Sequence, residues 1–356
     1  MSAPDNQTPK LRFALVGAGV IGKTHARALT DLPDLAELVT VVDTDPARAQ
    51  ELADRYGTEA TTDLDAVLRR DDIDAVTICT PSGVHADGAV AALDAGKHVV
   101  VEKPIDITLA AADRIIDAEK RSGRTVTVIS QHRFDRSTEK VQQAVRDGHL
   151  GTITSAIASH AWWRGQSYYD SGDWRGTWAL DGGGAVMNQT VHTINLMITT
   201  LGTPVEVFAY TACLAHERIE VEDTAVAVVK FASGALGMIH GTTAAYPGLD
   251  AGLRVFGSKG SAVITDDELV FFHANAGDAP EIGMQGLSAE NQVTADDTLG
   301  PADRPLGGAH RRQFADFIEA VNTGRSPRVG TTEARTAVSV ILAMYESATT
   351  GRPVKL

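Results

Sequence analysis

From Leu11 onward, short apolar runs alternate with longer amphipathic ones. RFALVG (12–17) reads as a strand, VIGKTHARAL (20–29) as a helix, and ELVTVVD (37–43) as the next strand. PARAQELADRYG (46–57) has helical periodicity and ends in Gly57, DAVTIC (74–79) is a continuous apolar strand, and HADGAVAALDAG (85–96) is a helix closed by Gly96. HVVVE (98–102), a helix near 108–122 and TVTVIS (125–130) complete the series. Strands apolar on both faces, separated by helices of about ten residues, imply a parallel sheet covered on both sides.

After about Arg133 the period changes. A helix near 135–147 leads into the alternating stretch GTITSAIASHAWWRG, which predicts a strand with one wet face. GQSYYDSGDWRGTWALDGGG (165–184) reads as a loop that delivers the chain into an apolar helix, AVMNQTVHTINLMITTLG. Strands are expected near 204–214, 222–232, 235–243, 252–257, 260–265 and 268–273, joined by turns such as ASGA and GSKG, which together make a mostly antiparallel sheet. The polar segment 274–309 reads as a long loop, and helices near 310–323 and 331–349 close the chain.

A chain of 356 residues holds roughly two domains. Its net charge of -14 disfavours nucleic acid and anionic lipid as partners, and 43% hydrophobic with 22% charged residues is ordinary globular composition. The two cysteines, Cys79 and Cys213, form no close Cys/His cluster, so neither a disulfide framework nor a structural zinc site is expected. The polar opening MSAPDNQTPK and the absence of any run of about 18 apolar residues predict a protein without a signal peptide or membrane span. A cytoplasmic location is expected.

Gly17-Ala18-Gly19-Val20-Ile21-Gly22 lies between the first strand and the first helix. Gly17 permits the tight turn, Gly19 the approach of a pyrophosphate, and Gly22 close packing of helix on strand, while the helix start offers free N–H groups. Asp43 ends the second strand 21 residues past Gly22, where it can accept hydrogen bonds from an adenosine ribose and repel a 2'-phosphate. NAD is favoured over NADP; Arg48 is the cation that could reverse this.

Glu102-Lys103-Pro104 follows the fifth strand, at the carboxyl edge where open parallel sheets bind ligands. Asn188 and His192, four apart in an expected helix, share one face, and Gly182 to Gly184 before them admit a ligand or another backbone. Two such residues without a third ligand do not make a metal site. All four tryptophans, Trp162, Trp163, Trp174 and Trp178, fall in one stretch with Tyr168, Tyr169, Arg164 and Arg175. Such rings suit a polyhydroxylated ring, and the arginines suit carboxylate or phosphate. Trp163, Arg164, Tyr169, Asn188, His192 and Lys103 are the expected substrate contacts.

GAGVIGKTHA, CTPSGVH (79–85), GKHVVVEKP (96–104), GGGAVMNQTVH (182–192), VFGSKGSAVI (255–264) and HRRQFADFIEAVNTGRSP (310–327) together resemble the Gfo/Idh/MocA family. The resemblance implies an α/β protein: a Rossmann domain over 1–131 with a doubly wound parallel sheet, then an α+β domain over 132–356 with an open-faced, mostly antiparallel sheet. It also implies NAD(P)-linked oxidation or reduction of a secondary alcohol of a sugar, cyclitol or sugar derivative. Lys103 and His192 are then the catalytic pair, and Thr80, Pro81, His85 and Glu102 lie along the cofactor. A homo-oligomer, dimer or tetramer, through the C-terminal sheet is expected. Many members carry an acidic residue where this chain has Asn188. The run WWRGQSYYDSGDWRGTWALDGGGAVMNQ looks most like members acting on pyranosides or nucleotide sugars. Competing readings are an NAD-retaining glycosidase or epimerising enzyme and a non-catalytic sugar-sensing regulator.

Overall fold

The computed structural model describes residues 10–274 and 308–356. The chain divides into two compact units: of the described residues, 10–131 and 308–335 form the first, and 132–274 and 336–356 the second.

The first unit alternates strands with helices: β1 (Leu11–Val16), α1 (Val20–Thr30), β2 (Ala36–Val42), α2 (Pro46–Tyr56), β3 (Glu59–Thr61), α3 (Leu64–Leu68), β4 (Ala75–Ile78), α4 (His85–Asp94), β5 (His98–Val101), α5 (Leu109–Ser122) and β6 (Val126–Val128). Its six strands pair in parallel in the order β3-β2-β1-β4-β5-β6, so the winding reverses between β1 and β4. Side chains cap most of the helices. Asp45 accepts from Ala47 and Arg48 at the start of α2, Asp63 from Ala66 at α3, and Thr108 from Ala111 at α5. α1 and α4 have no such cap, and α1, which starts at Gly19, also lacks an acid in its first turn, leaving its N–H groups available to an anion beside the point of reversal.

The second unit contains α6 (Arg136–Arg146), β7 (Ile153–Ala161), α7 (Gln166–Tyr169), α8 (Val191–Leu201), β8 (Pro204–Ala212), β9 (Thr224–Phe231), β10 (Leu236–Thr242), β11 (Ala251–Gly257), β12 (Gly260–Thr265) and β13 (Glu268–Ala274). After α9 (Gly308–Thr323) and α10 (Thr331–Thr350), the terminal β14 (Val354–Lys355) joins the sheet edge. The order β13-β12-β11-β7-β10-β9-β8-β14 is antiparallel except for the β7 and β10 pair. Val191, Ile194, Met197 and Ile198 of α8 belong to one core with Ala156, Ala158, Ile239, Leu253 and Val255 of the inner sheet face. β9 alternates buried and exposed positions, as one wet face requires.

Three expectations need correction. The stretch 132–356 is not one unit, because α9 packs with the first: Phe314 and Phe317 meet Phe13 at ring-centroid distances of 5.9 and 6.3 Å. Gln313 also accepts from Ser130 N–H and donates to Val128 O. The expected apolar helix after Gly184 begins as a wide π-type turn over Ala185–Thr190, so the 3.6-residue period that set Asn188 above His192 is broken between them. The strand expected over 151–165 stops at Ala161, where the chain bends into single hydrogen bonds with the segment after β10. Most of the loop expected over 274–309 lies outside the described residues.

Candidate active site

In the first unit the glycine loop fits a dinucleotide by contact geometry. Gly17 has φ +101°, and a Cβ there would lie 2.5 Å from Cys79 O, so any side chain would collide with the end of β4. A Cβ on Gly22 would lie 2.0 Å from Gly17 O, which is the close helix-to-turn packing expected of it. Gly19 differs: a Cβ would meet nothing within 4 Å, and Val20 beside it is 81% exposed, with Ile21 half-buried. The loop is therefore held by its outer glycines and open at the middle one. Asp43 closes one side of it, accepting from Ala18 N–H at 2.7 Å and from Asp45 N–H at 2.9 Å. Each carboxylate oxygen keeps further acceptor capacity for ribose hydroxyls. Arg48 is turned to Asp45 at 3.3 Å.

Across the reversal, Thr80 Oγ1 is buried without a hydrogen-bond partner, a polar atom waiting for a ligand group. Pro81 leads into a short turn at Ser82. His85 is buried, with Nδ1 2.8 Å from Pro104 O and Nε2 3.0 Å from Thr80 O. It thus ties the turn after β4 to the turn after β5, and burial, the dominant influence, lowers its basicity.

Glu102 is buried behind Lys103. One oxygen accepts from Lys103 N–H at 3.0 Å, and the other lies 2.8 Å from His25 Nε2, whose ring also meets Thr77 Oγ1 at 2.7 Å and Cys79 Sγ at 3.2 Å. His310 of α9 adds a ring 5.6 Å from His25. Burial alone would raise Glu102, but His25 outweighs it and the carboxyl falls to about 2. Burial likewise would lower His25, and contacts with Cys79 and Glu102 lift it to about 10. The pair is ionised at neutral pH and fixes the backbone of half-buried Lys103, whose peptide bond to Pro104 is cis. The sequence reading missed His25 and His310; His25 stands three residues past Gly22 on the buried face of α1.

In the second unit, consecutive aromatics part to opposite sides. Arg164 lies over Trp162 at 4.9 Å and Tyr168 at 5.0 Å, and Arg175 covers Tyr168 at 4.3 Å and donates to its hydroxyl at 2.7 Å. Trp163 and Tyr169 instead pack on His216, with ring centroids at 5.8 and 4.8 Å. Tyr169 is buried and its hydroxyl bonds Thr243 Oγ1 at 2.8 Å. His216 meets Asp223 at 3.0 Å and Arg164 O at 2.6 Å, which pins the Arg164 backbone. Alternation along an extended chain is the signal that pairs Trp162 with Arg164.

Gln189 extends this polar group. It accepts from Arg164 at 3.3 Å, donates to Tyr168 at 3.1 Å and donates to Asn188 at 3.3 Å. Asn188 donates in turn to Asp181 at 2.5 Å. Arg164 Nε is buried with no hydrogen-bond partner. The glycine run serves packing: a Cβ on Gly183 would lie 2.1 Å from Tyr345 Oη, and one on Gly184 would lie 1.7 Å from Glu222 O. Glu222 accepts from Gly184 and Val186 N–H and from the Tyr345 hydroxyl. Burial, offset by these donors, leaves its carboxyl at about 7. His192, half-buried, opens α8 with its ring 4.9 Å from that of His132.

Residues 11–130 match the family description "Oxidoreductase family, NAD-binding Rossmann fold", and residues 138–263 match "GFO/IDH/MocA C-terminal domain". A myo-inositol 2-dehydrogenase of Thermotoga maritima is 31% identical over 72% of this chain and 79% of its own. A D-xylose 1-dehydrogenase (NADP(+)) of Haloferax volcanii is 28% identical over 97% of this chain and 100% of its own. The WlbA dehydrogenase of Bordetella pertussis, solved with NADH and UDP-GlcNAcA, superposes with a TM-score of 0.85 at 31% identity, covering 98% of both chains. Among the described residues no helix is long and apolar enough to cross a membrane. The chain belongs to the Gfo/Idh/MocA family and is a sugar oxidoreductase that acts on CH–OH groups with a nicotinamide cofactor.

Proposed function

We propose that this protein oxidises or reduces a ring secondary alcohol of an anionic sugar derivative, a pyranoside uronate or a nucleotide sugar, using NAD in preference to NADP. The observation that carries the substrate class is the pair of guanidinium groups packed on the Tyr168 ring, with the buried Nε of Arg164 lacking an acceptor. A buried donor without a partner costs about 1–3 kcal/mol, and an anionic oxygen on the substrate relieves that cost. The UDP-GlcNAcA of the Bordetella pertussis relative belongs to this class.

Lys103 and His192 supply the acid-base chemistry. Bound NAD supplies the hydride acceptor. An imidazole is the better base near neutral pH, so a ring nitrogen of His192 accepts the hydroxyl proton. The Lys103 ammonium stabilises the oxygen as charge develops or shares its proton. Asp43 and the glycine loop bind the adenosine half, and self-association through the outer sheet face of the second unit completes the reading.

The test is a screen of UDP-GlcNAcA, free uronates, cyclitols and neutral pyranoses with NAD, read by absorbance of the reduced nicotinamide. An anionic sugar should give the highest kcat/KM. Equal rates with neutral pyranoses would overturn the anionic assignment. On the substrate found, Lys103→Ala and His192→Ala should each lower kcat by about 10²- to 10⁴-fold with NAD affinity unchanged, and near-wild-type turnover in either removes that residue's role.

A further inference from the structure

The second unit holds a histidine that the proposed reaction does not yet use. His132 begins the unit in a short turn (Gln131–Phe134), and its ring stands nearly perpendicular to that of His192, at 82° and 4.9 Å between centroids. Its Nδ1 is 2.7 Å from Asp267 Oδ1 and 3.3 Å from Asp135 Oδ2. Both carboxylates are in unusual places for this purpose. Asp135 occupies the N-cap position of α6, where an aspartate ordinarily accepts from its own helix, yet it makes no capping bond there. Asp267 sits at the β12 to β13 hairpin tip, where Asp266 and Asp267 have φ of 47° and 68°. Such a turn prefers Asn-Gly, and two aspartates in left-handed conformation are tolerated at a local cost. Ser137 Oγ donates to Asp267 O at 2.7 Å, and Ala251 N–H to Asp266 Oδ1 at 3.1 Å, so the tip is tied to both α6 and β11.

We infer that His132 is a positioning residue for His192: the hairpin tip and the start of α6 hold the His132 ring, and that ring sets the plane in which His192 meets its substrate. The inference rests on the proposed role of His192 as proton acceptor. Edge-to-face contact favours one relative orientation of two rings over others. A base misplaced by about 1 Å loses on the order of 10²-fold in rate, which makes such restriction worth building. Burial alone would lower the basicity of His132, but Asp135 and Asp267 outweigh it and raise the ring to about 9. At neutral pH Nδ1 therefore carries a proton to donate.

The experiment compares His132→Phe, Asp267→Asn and His192→Asn in the full chain with histidines labelled with ¹⁵N. The His192 signals are identified by their loss in His192→Asn. His132→Phe keeps a ring against His192 but removes the anchoring donor, and Asp267→Asn weakens the anchor while leaving both rings. In each, the His192 ring signals should shift or broaden. Turnover of UDP-GlcNAcA or myo-inositol, whichever is accepted, should fall about 10- to 100-fold in kcat, the range seen when a metal-bound histidine loses its outer hydrogen-bond partner. The KM for NAD should stay unchanged. A merely structural salt bridge would lower the melting temperature and leave kcat and the His192 signals alone; that result overturns the positioning role while His192 keeps its own. Should His192→Asn itself retain full turnover, the catalytic reading fails and the positioning role falls with it.

Discussion

The carboxylate of Glu102 accepts from the Lys103 backbone N–H and lies 2.8 Å from the His25 ring, with His310 Nε2 3.9 Å away. A buried charge is tolerated only when paired, and removing one partner of such a pair typically costs about 3–5 kcal/mol. Glu102→Gln should therefore lower the melting temperature at neutral pH. The pH dependence follows from the two shifts. Glu102 is depressed from 4.5 to about 2, so its contribution is complete above 4.5 and lost as pH falls through about 2. His25 is raised from 6.5 to about 10, so its contribution is complete below 6.5 and lost as pH rises through about 10. The gap between wild type and Glu102→Gln, followed by calorimetric melting, should be widest between those limits and shrink on either side. A constant gap across the range would mean that packing, not charge, is what the substitution disturbs. At Asp43 the expectation concerns ligand choice. Its oxygens face backbone donors, and Arg48 is engaged by Asp45, so titration calorimetry should find NAD bound more tightly than NADP. Equal or reversed affinities would mean that Arg48 leaves Asp45 for the 2'-phosphate.

At the scale of elements, the segment after β7 shows why neighbours in sequence need not share a task. Extended backbone sends Trp162 and Arg164 one way and Trp163 the other, and the single turn of α7 separates Tyr168 from Tyr169. Arg164→Ala should raise the KM for the sugar and leave that for NAD, since Arg164 belongs to the polar group of Tyr168 and Gln189. Tyr169→Phe should do the reverse of a binding mutation: it removes the bond to Thr243, costs about 1 kcal/mol of stability, and leaves the sugar KM in place. A raised sugar KM in Tyr169→Phe with unchanged melting would restore it as a substrate contact. The same reasoning explains what the sequence makes legible. Continuous apolar runs, Gly57 and Gly123 at helix ends, and the glycine loop are local signals, and the parallel sheet follows from them. The three-residue β3 and two-residue β14 have too few positions to show a period. The π-type turn at Ala185–Thr190 follows Gly183 and Gly184, which pack too closely against Tyr345 and Glu222, distant in sequence, for any Cβ to fit. The attachment of α9 to the first unit likewise depends on Phe13, Phe314 and Gln313 meeting across the chain. Long-range partners of this kind leave no trace in a window of neighbouring residues.

At the scale of the whole molecule, the outer face of the second unit's sheet is the feature that a solitary chain leaves unexplained. Tyr210 is 68% exposed, Val228 and Leu236 each 55%, Val226 47% and Met238 41%. Strand register makes these a continuous patch: Phe208 pairs with Val228, Val228 with Met238 and Met238 with Ile157, while Tyr210, Val226 and His240 form the adjacent row. The wet face of an antiparallel sheet is ordinarily polar, and soluble monomers seldom expose an apolar patch of this continuity. We propose that a second copy of the chain covers it, since one self-complementary face closes a dimer without leaving a new apolar surface. Light scattering at micromolar concentration should then give a dimer or tetramer mass, and Val228→Lys with Met238→Lys should reduce it to that of one chain without lowering the melting temperature of the core. Each protomer carries a net charge of -14, so association also works against long-range repulsion. Salt screens that repulsion and leaves apolar burial intact, which predicts weaker association at low ionic strength and tighter association as salt is added. A monomer at every salt concentration would remove the sheet face as an interface, whereas an oligomer that salt dissociates would assign its cohesion to ion pairs elsewhere.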